Sequence, residues 1–219
     1  MAISSNGVAG LKPGVVDSTA TRPASPFEGQ MIFQKDTDQL LIWNGSAWVI
    51  PNSPAQNPQG LELVKTQTFS SQANCDCTAV FNANYENYFT VIRLTTSAQG
   101  QYTNIQLLNG TTPKTTNYSR AGFLFTTGGV TSTDSSGTSQ DGFRLTGQST
   151  AGIYATAEFF RPFTSNETGY KSSSSYQQGN ALIYTGTQTE SYSATGFRIL
   201  SSGSSVTYTG TVSVYGYRN

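Results

Sequence analysis

Nine short apolar and aromatic runs, separated by Gly, Ser and Thr, occupy the chain from residue 61 to its end. No stretch of ten residues shows the apolar periodicity of a helix. The runs are spaced fairly regularly, which is typical of an antiparallel β-sandwich or jelly roll. The predicted strands cover residues 61–70, 87–95, 102–108, 122–126, 142–145, 152–160, 181–185, 194–200 and 206–217. Two Ser-rich segments, residues 131–140 and 171–176, are predicted to be surface loops. The predicted fold class is all-β.

The first 30 residues have a different character, because Gly and Pro recur too often for a helix or a long strand. They also contain few large apolar side chains, so apolar burial within the segment cannot offset the conformational entropy that is lost when it becomes ordered. We therefore predict an extended N-terminal arm over residues 1–30. Such an arm is expected to dock on another surface, a shell or a neighbouring subunit, rather than on its own β domain.

Residues 31–50 contain three short apolar-aromatic strands separated by turn residues, including Asn44-Gly45, which is a strong hairpin signal. They predict a small three-stranded meander. Because so small a unit is only marginally stable alone, it is expected to pack against a partner. Residues 51–60 contain three prolines and predict a linker. Residues 61–219 then form the predicted sandwich or jelly-roll domain.

Composition narrows the range of partners. Only 11% of residues are charged, against about 25% in an average soluble domain, and 58 of the 219 residues are Ser or Thr. The formal net charge is zero, which argues against nucleic acid and anionic lipid as partners. No apolar run is long enough to span a bilayer, and the N-terminus has no signal-peptide pattern. A soluble protein made in a cytoplasm is expected.

The chain has no histidine, which excludes Ser-His-Asp and Cys-His catalysis and imidazole metal sites. Cys75 and Cys77 are too close in sequence for an unstrained disulfide on a strand and too few for a zinc site, so free, half-buried thiols are predicted. No cofactor or metal is expected. Glycine pairs such as Gly128-Gly129 lack the setting of a phosphate loop.

Any enzymatic activity would have to use carboxylates, as glycoside cleavage does. No spacing singles out a pair, and solvated loop charges are the ordinary explanation, so no catalytic residue is assigned. The protein is predicted not to be an enzyme, with a capsular depolymerase as a remote alternative. The candidate carboxylates in the β domain are Asp134, Asp141, Glu158, Glu167 and Glu190.

Residues 21–49 read TRPASPFEGQMIFQKDTDQLLIWNGSAWV. This segment resembles a module found near the N-terminus of tailed-bacteriophage virion surface proteins, with the pattern RPxxPxEGQ[MV]I[YF]xxDT followed by [WY][ND]GSxW. The C-terminal run GTVSVYGYR, residues 210–218, is similar to the last strand of β domains on such proteins. The resemblance is specific over about thirty residues.

The resemblance implies a virion component, usually a homotrimer, located on the surface of the phage particle and made in the host cytoplasm. The missing heptads and shaft repeats favour a capsid decoration (cement) protein that contacts phage capsid or tail proteins. The alternative is a tail-fibre or baseplate receptor-binding protein, in which loops 131–140 and 171–176 touch host surface glycan. The residues predicted to dock on the particle are Arg22, Pro23, Pro26, Phe27, Trp43 and Trp48.

Among these residues, Arg22 is expected to pair with an acidic partner and Phe27 to act as an apolar anchor. Trp43 and Trp48 flank the Asn44-Gly45 turn. A twenty-residue unit has too little core to hide both indole rings, so they are expected to pack on a symmetry mate or on the β domain.

Overall fold

The computed structural model describes residues 13–51, 60–99, 102–126, 128–176, 179–203 and 205–218. It separates into two compact units, residues 1–58 and residues 59–219. Both are built of strands, and the regular helical structure within the described ranges is a single short 3₁₀ turn, Thr19–Thr21. The all-β fold class predicted from the sequence is confirmed. Residues 1–12 of the predicted arm and residues 52–59 of the predicted linker lie outside the described residues.

The N-terminal unit contains the three predicted antiparallel strands and one more. The strands are β1 (Gly14–Val16), β2 (Met31–Gln34), β3 (Gln39–Trp43) and β4 (Trp48–Val49), in the order β1-β2-β3-β4. Strand β1 comes from the predicted arm and pairs with β2 in parallel, with Val15 opposite Phe33. Residues 14–16 of the predicted arm therefore belong to this sheet and find their hydrogen-bond partners in β2, while docking of the arm on another surface stays a prediction.

The second unit contains thirteen described strands in two sheets. They are β5 (Gly60–Gln72), β6 (Cys75–Cys77), β7 (Asn87–Thr96), β8 (Tyr102–Asn109), β9 (Thr112–Pro113), β10 (Tyr118–Thr126), β11 (Gly129–Gln140), β12 (Phe143–Gly147), β13 (Ile153–Phe160), β14 (Thr168–Tyr176), β15 (Asn180–Gln188), β16 (Gly196–Ser201) and β17 (Tyr208–Arg218). All nine predicted strands overlap strands of the structure.

The large sheet has the order β11-β10-β15-β14-β13-β7-β17-β5, and the small sheet has the order β12-β8-β16-β6, with β9 paired to β8. If β5, β6, β7, β8, β12, β13, β16 and β17 are numbered one to eight, the two sheets have the orders 1-8-3-6 and 2-7-4-5. This is the double Greek key of a jelly roll. The remaining hairpins, β10-β11 and β14-β15, add four strands to one side of the large sheet.

Two of these added strands correct the sequence prediction. Residues 131–140 and 171–176 belong to β11 and β14 and are not loops. Strand β14 is hydrogen-bonded on both sides, to β13 and to β15, so its serines are held by a complete ladder of backbone hydrogen bonds. That pairing outweighs the weak strand preference of Ser and Gly.

The core lies between the two sheets of the jelly roll and contains a chain of aromatic rings. Phe143 of the small sheet stacks on Tyr170 of the large sheet with ring centroids 4.4 Å apart. Phe159 of the large sheet stacks on Phe197 of the small sheet at 5.1 Å and also meets Tyr170 and Phe81. These contacts link the two layers, and each aromatic pair contributes about 0.5–1.5 kcal/mol beyond the area it buries.

Candidate assembly surfaces

The exposed apolar side chains of the jelly roll are concentrated on one face. Among its described residues, all of the exposed large hydrophobic ones lie in the large sheet and point away from the core. They are Leu61, Leu63, Phe123, Val130, Tyr154, Phe160 and Ile183. Within the described ranges, the small sheet presents no exposed large hydrophobic residue. The outer face of the large sheet is therefore the candidate surface for contacts with another molecule.

Apolar residues near the β5 edge form one group, which we call patch A. Cross-strand pairing places Leu63 opposite Tyr215, and Tyr215 opposite Phe89. Leu63 is 53% exposed, although nothing in the sequence around it distinguishes it from a buried strand residue. Patch A consists of Leu61, Leu63, Phe89, Val91, Tyr215 and Tyr217 on strands β5, β7 and β17.

A second group lies near the opposite edge, on strands β10, β11 and β15, and we call it patch B. Phe123 lies opposite Ile183, and Phe125 lies between Ala181 and Val130. Phe123 is 54% exposed and Val130 is 59% exposed. Patch B consists of Phe123, Phe125, Val130, Ala181 and Ile183.

A polar trough separates the two patches. Strand β14 turns Lys171, Ser173 and Ser175 outward, because its alternate residues Tyr170, Ser172 and Ser174 are buried. The small serine side chains form a groove that is lined in addition by Val91, Arg93, Tyr154, Thr156 and Ala181. The sheet thus presents two apolar patches with a lower, hydroxyl-bearing strip between them.

Charged groups on this face are few among the side chains that the structure describes. Arg93 lies beside Tyr154, while Glu158 and Lys171 face each other across neighbouring strands with 4.0 Å between carboxylate oxygen and ammonium nitrogen. Glu158 also accepts a hydrogen bond of 2.9 Å from the hydroxyl of Tyr217. Because the carboxylate is already partnered, the face offers little charge to a highly charged ligand.

In the N-terminal unit, Arg22 contacts a buried glutamine, and its pairing with an external acid stays a prediction. Its Nε donates to Gln34 Oε1 at 2.7 Å, and Gln34 is fully buried. The amide nitrogen of Gln34 donates in turn to Asp36 Oδ1 at 2.6 Å and to Thr19 Oγ1 at 3.3 Å. This network joins the residues before β2 to the sheet, so Arg22 has a structural role within its own unit that the sequence prediction missed.

The other predicted docking residues divide by exposure. Pro23 and Pro26 are half-buried, whereas Phe27 is 69% exposed and is the most exposed large hydrophobic residue in the described part of the chain. Its backbone nitrogen donates a hydrogen bond of 3.2 Å to Gln30 Oε1, and its ring is exposed to solvent. The role of Phe27 as an apolar anchor stays a prediction, and its exposed ring is open to a partner.

Trp43 and Trp48 pack against each other. They are directly opposite across the β3-β4 hairpin, with ring centroids 5.6 Å apart in an edge-to-face arrangement, and both stay half-buried. Asn44 Oδ1 holds the turn by accepting hydrogen bonds from the backbone nitrogens of Ser46 and Ala47, while Gly45 adopts a φ of 94°. The NGSAW part of the motif thus builds this hairpin.

Three of the five candidate carboxylates have separate partners. Asp141 accepts a hydrogen bond from Asn104 at 3.2 Å and lies 3.8 Å from Arg120, in the turn before β12. Glu190 contacts Lys114 and Asn117 at the end of β15, and Glu158 is on the outer face of β13. The side chain of Asp134 lies outside the described residues. Among the described residues, no group of three or more Cys, Asp or Glu side chains is arranged to hold a metal ion.

The two cysteines are free, as predicted, but fully buried instead of half-buried. Strand β6 turns both Cys75 and Cys77 into the core, where desolvation raises the pKa of each thiol to about 12. We expect a thiol reagent at pH 8 to label the native chain only as fast as it unfolds, because both the thiolate and the access it needs are missing. Labelling kinetics with and without denaturant test this.

The same burial gives a pH dependence. Thiols of the unfolded chain ionise near 9.0, while those of the folded chain stay protonated to about 12. The free energy of unfolding should therefore fall as the pH rises through this window. In the labelling experiment at pH 8, rapid labelling of the folded chain would show instead that β6 opens locally.

Comparisons with protein-family models, with curated proteins and with solved structures find no match for this chain. Of the helical structure that is described, none is long and apolar enough to cross a membrane. The case for patch A, patch B and Phe27 as contact surfaces is therefore made by their exposure and their positions in the fold.

Proposed function

We propose that the protein is a structural component of a bacteriophage virion, a trimeric capsid decoration protein without enzymatic activity. The N-terminal unit docks on the particle, and the jelly roll projects outward. It contacts capsid or tail proteins and other copies of itself, and it uses no cofactor, nucleic acid or membrane.

The observation that carries the proposal is the distribution of exposed apolar side chains over two separate units. One unit presents Phe27, at 69% exposure, next to a motif that resembles phage virion modules. The other presents a wide apolar sheet face with few charges. Surfaces of this kind suit lasting contacts with protein, since permanent interfaces are more apolar than transient ones.

A truncated chain tests this assignment of roles. We expect a chain beginning at residue 60 to fold but to be missing from assembled particles, because it lacks the docking unit. The measurement is the amount of each chain on purified particles, by mass spectrometry and by cryo-electron microscopy of a labelled chain. The full chain with the same label serves as the control.

A Phe27→Ala chain provides a finer comparison, because it removes one exposed ring and keeps the unit folded. Weakened incorporation would support docking through this ring. Normal incorporation of the chain beginning at residue 60 would show that docking belongs to the jelly roll, and a label found only at the tail would replace the decoration role with a tail role.

A receptor-binding role is the second candidate, and the trough on β14 is the observation that favours it. The trough places the 60% exposed ring of Tyr154 beside Arg93 and the hydroxyls of Ser173 and Ser175. Aromatic faces and hydroxyls of this kind bind sugars and adaptable protein surfaces alike. Binding of the purified chain to host glycan, lost on Tyr154→Ala, would favour this role, and release of new reducing ends would indicate a depolymerase.

A further inference from the structure

The outer face of the large sheet has the area of a subunit interface. Eight strands about 4.8 Å apart, each of at least eight residues rising about 3.3 Å, cover roughly 1,000 Å² or more. A standard protein–protein interface buries about 800 Å² on each partner. Large apolar side chains occupy much of this face at 39–60% exposure, which is costly for a chain that stays monomeric.

The charges on the face favour a second copy of the chain as the occupant. Glu158 is paired with Lys171 and hydrogen-bonded to Tyr217, so the described side chains leave no acidic or basic cluster to recognise a partner of opposite charge. The chain as a whole also has a net charge of zero, so copies of it do not repel one another. An apolar, weakly charged face is what interfaces between identical subunits usually present.

The trough determines which arrangement of two copies can be closely packed. In a face-to-face dimer, the Ser173 and Ser175 strips of the two copies would oppose each other and leave a gap between them. Such a gap loses packing contacts, because interiors and interfaces are close-packed. If patch A of one copy instead packs on patch B of the next, both patches are covered and the trough faces a central axis.

We infer that the protein forms a closed ring in which patch A of each subunit packs against patch B of its neighbour. This contact is heterologous, since the two patches are different surfaces, and heterologous contacts that close produce rings. The trough on β14 then lines the ring axis, where water can solvate its hydroxyls. The inference concerns the chain alone and does not depend on where the protein acts.

One charge in either patch tests the inference in the full chain. Leu63→Glu alters patch A and Phe123→Glu alters patch B, and both side chains are more than half exposed, so the fold can accommodate the carboxylate. We expect the unaltered chain to have a mass of three or more subunits by light scattering and native mass spectrometry. Each variant alone should be a monomer, and Thr112→Glu, on an exposed site of the small sheet, should keep the ring.

Mixing the two variants is the decisive step. The intact patch B of the Leu63→Glu chain can bind the intact patch A of the Phe123→Glu chain, so the mixture should form a one-to-one pair and nothing larger. A monomeric or dimeric unaltered chain, a variant that keeps the ring mass, or a mixture that stays monomeric would each overturn the inference. Leu61→Glu and Ile183→Glu repeat the test at neighbouring positions, should either first variant show an altered circular dichroism spectrum.

Loss of the ring would leave the particle-docking test unaffected, because that test measures the N-terminal unit. Particle docking and the proposed ring can therefore fail separately, although a monomeric chain would also remove the trimer from the proposed function.

Discussion

Replacing Phe159 with alanine is expected to lower the free energy of unfolding of the jelly roll by about 3–5 kcal/mol, the range for large-to-small changes at buried phenylalanines. Phe159 is fully buried and touches Phe81, Tyr170 and Phe197, so it contacts both sheets. Removing the ring leaves a cavity between two layers whose backbones are fixed by their hydrogen-bond ladders. Chemical denaturation followed by tyrosine fluorescence or circular dichroism measures the loss.

Phe160 gives a matched control, since it is the next residue on β13 and points to the opposite face with 39% exposure. Phe160→Ala should change the same free energy by less than about 1 kcal/mol when the chain is monomeric. Both substitutions are best compared in the Phe123→Glu background, so that folding is measured apart from assembly. Equal losses for the two variants would mean that the aromatic chain does not link the sheets as described.

Strand positions were largely predictable from the sequence, because apolar residues alternate along most strands of the jelly roll. The prediction failed where pairing, and not side-chain character, makes the strand. Strand β14 reads as a serine loop, yet it is hydrogen-bonded on both sides. Strand β1 was assigned to an extended arm, yet it pairs with β2, and a parallel pairing across the fourteen intervening residues 17–30 leaves no local pattern.

The candidate site was less predictable than the fold. A hydrophobic residue on a strand looks the same in sequence whether it faces the core or the solvent, so Leu63 and Phe123 gave no signal. Their significance depends on which strands are neighbours, and the order of strands in the large sheet is not local information. Arg22 shows a second limit, because its hydrogen bond to the buried Gln34 depends on how the residues before β2 fold back and left no signal in the sequence.

The β17 bulge gives the second prediction with a large expected effect. Gly210 has a φ of 142°, and a Cβ added to it would lie 2.1 Å from the carbonyl oxygen of Arg93 and 3.0 Å from the Cα of Leu94. Both atoms belong to the backbone of β7, which is held between β13 and β17 and cannot move aside. Backbone strain and overpacking each cost about 1–3 kcal/mol, so Gly210→Ala should lower the free energy of unfolding by about 2–6 kcal/mol.

Gly179→Ala separates the two causes, because Gly179 also has a positive φ, at 81°, but no atom lies within 4 Å of an added Cβ. Left-handed strain alone costs about 1–2 kcal/mol, so this variant should lose clearly less stability than Gly210→Ala in the same denaturation experiment. The excess loss at Gly210 then measures the close approach of β17 to β7. Equal losses would mean that strand β7 relaxes around the new methyl group, so that conformational strain alone requires glycine at position 210.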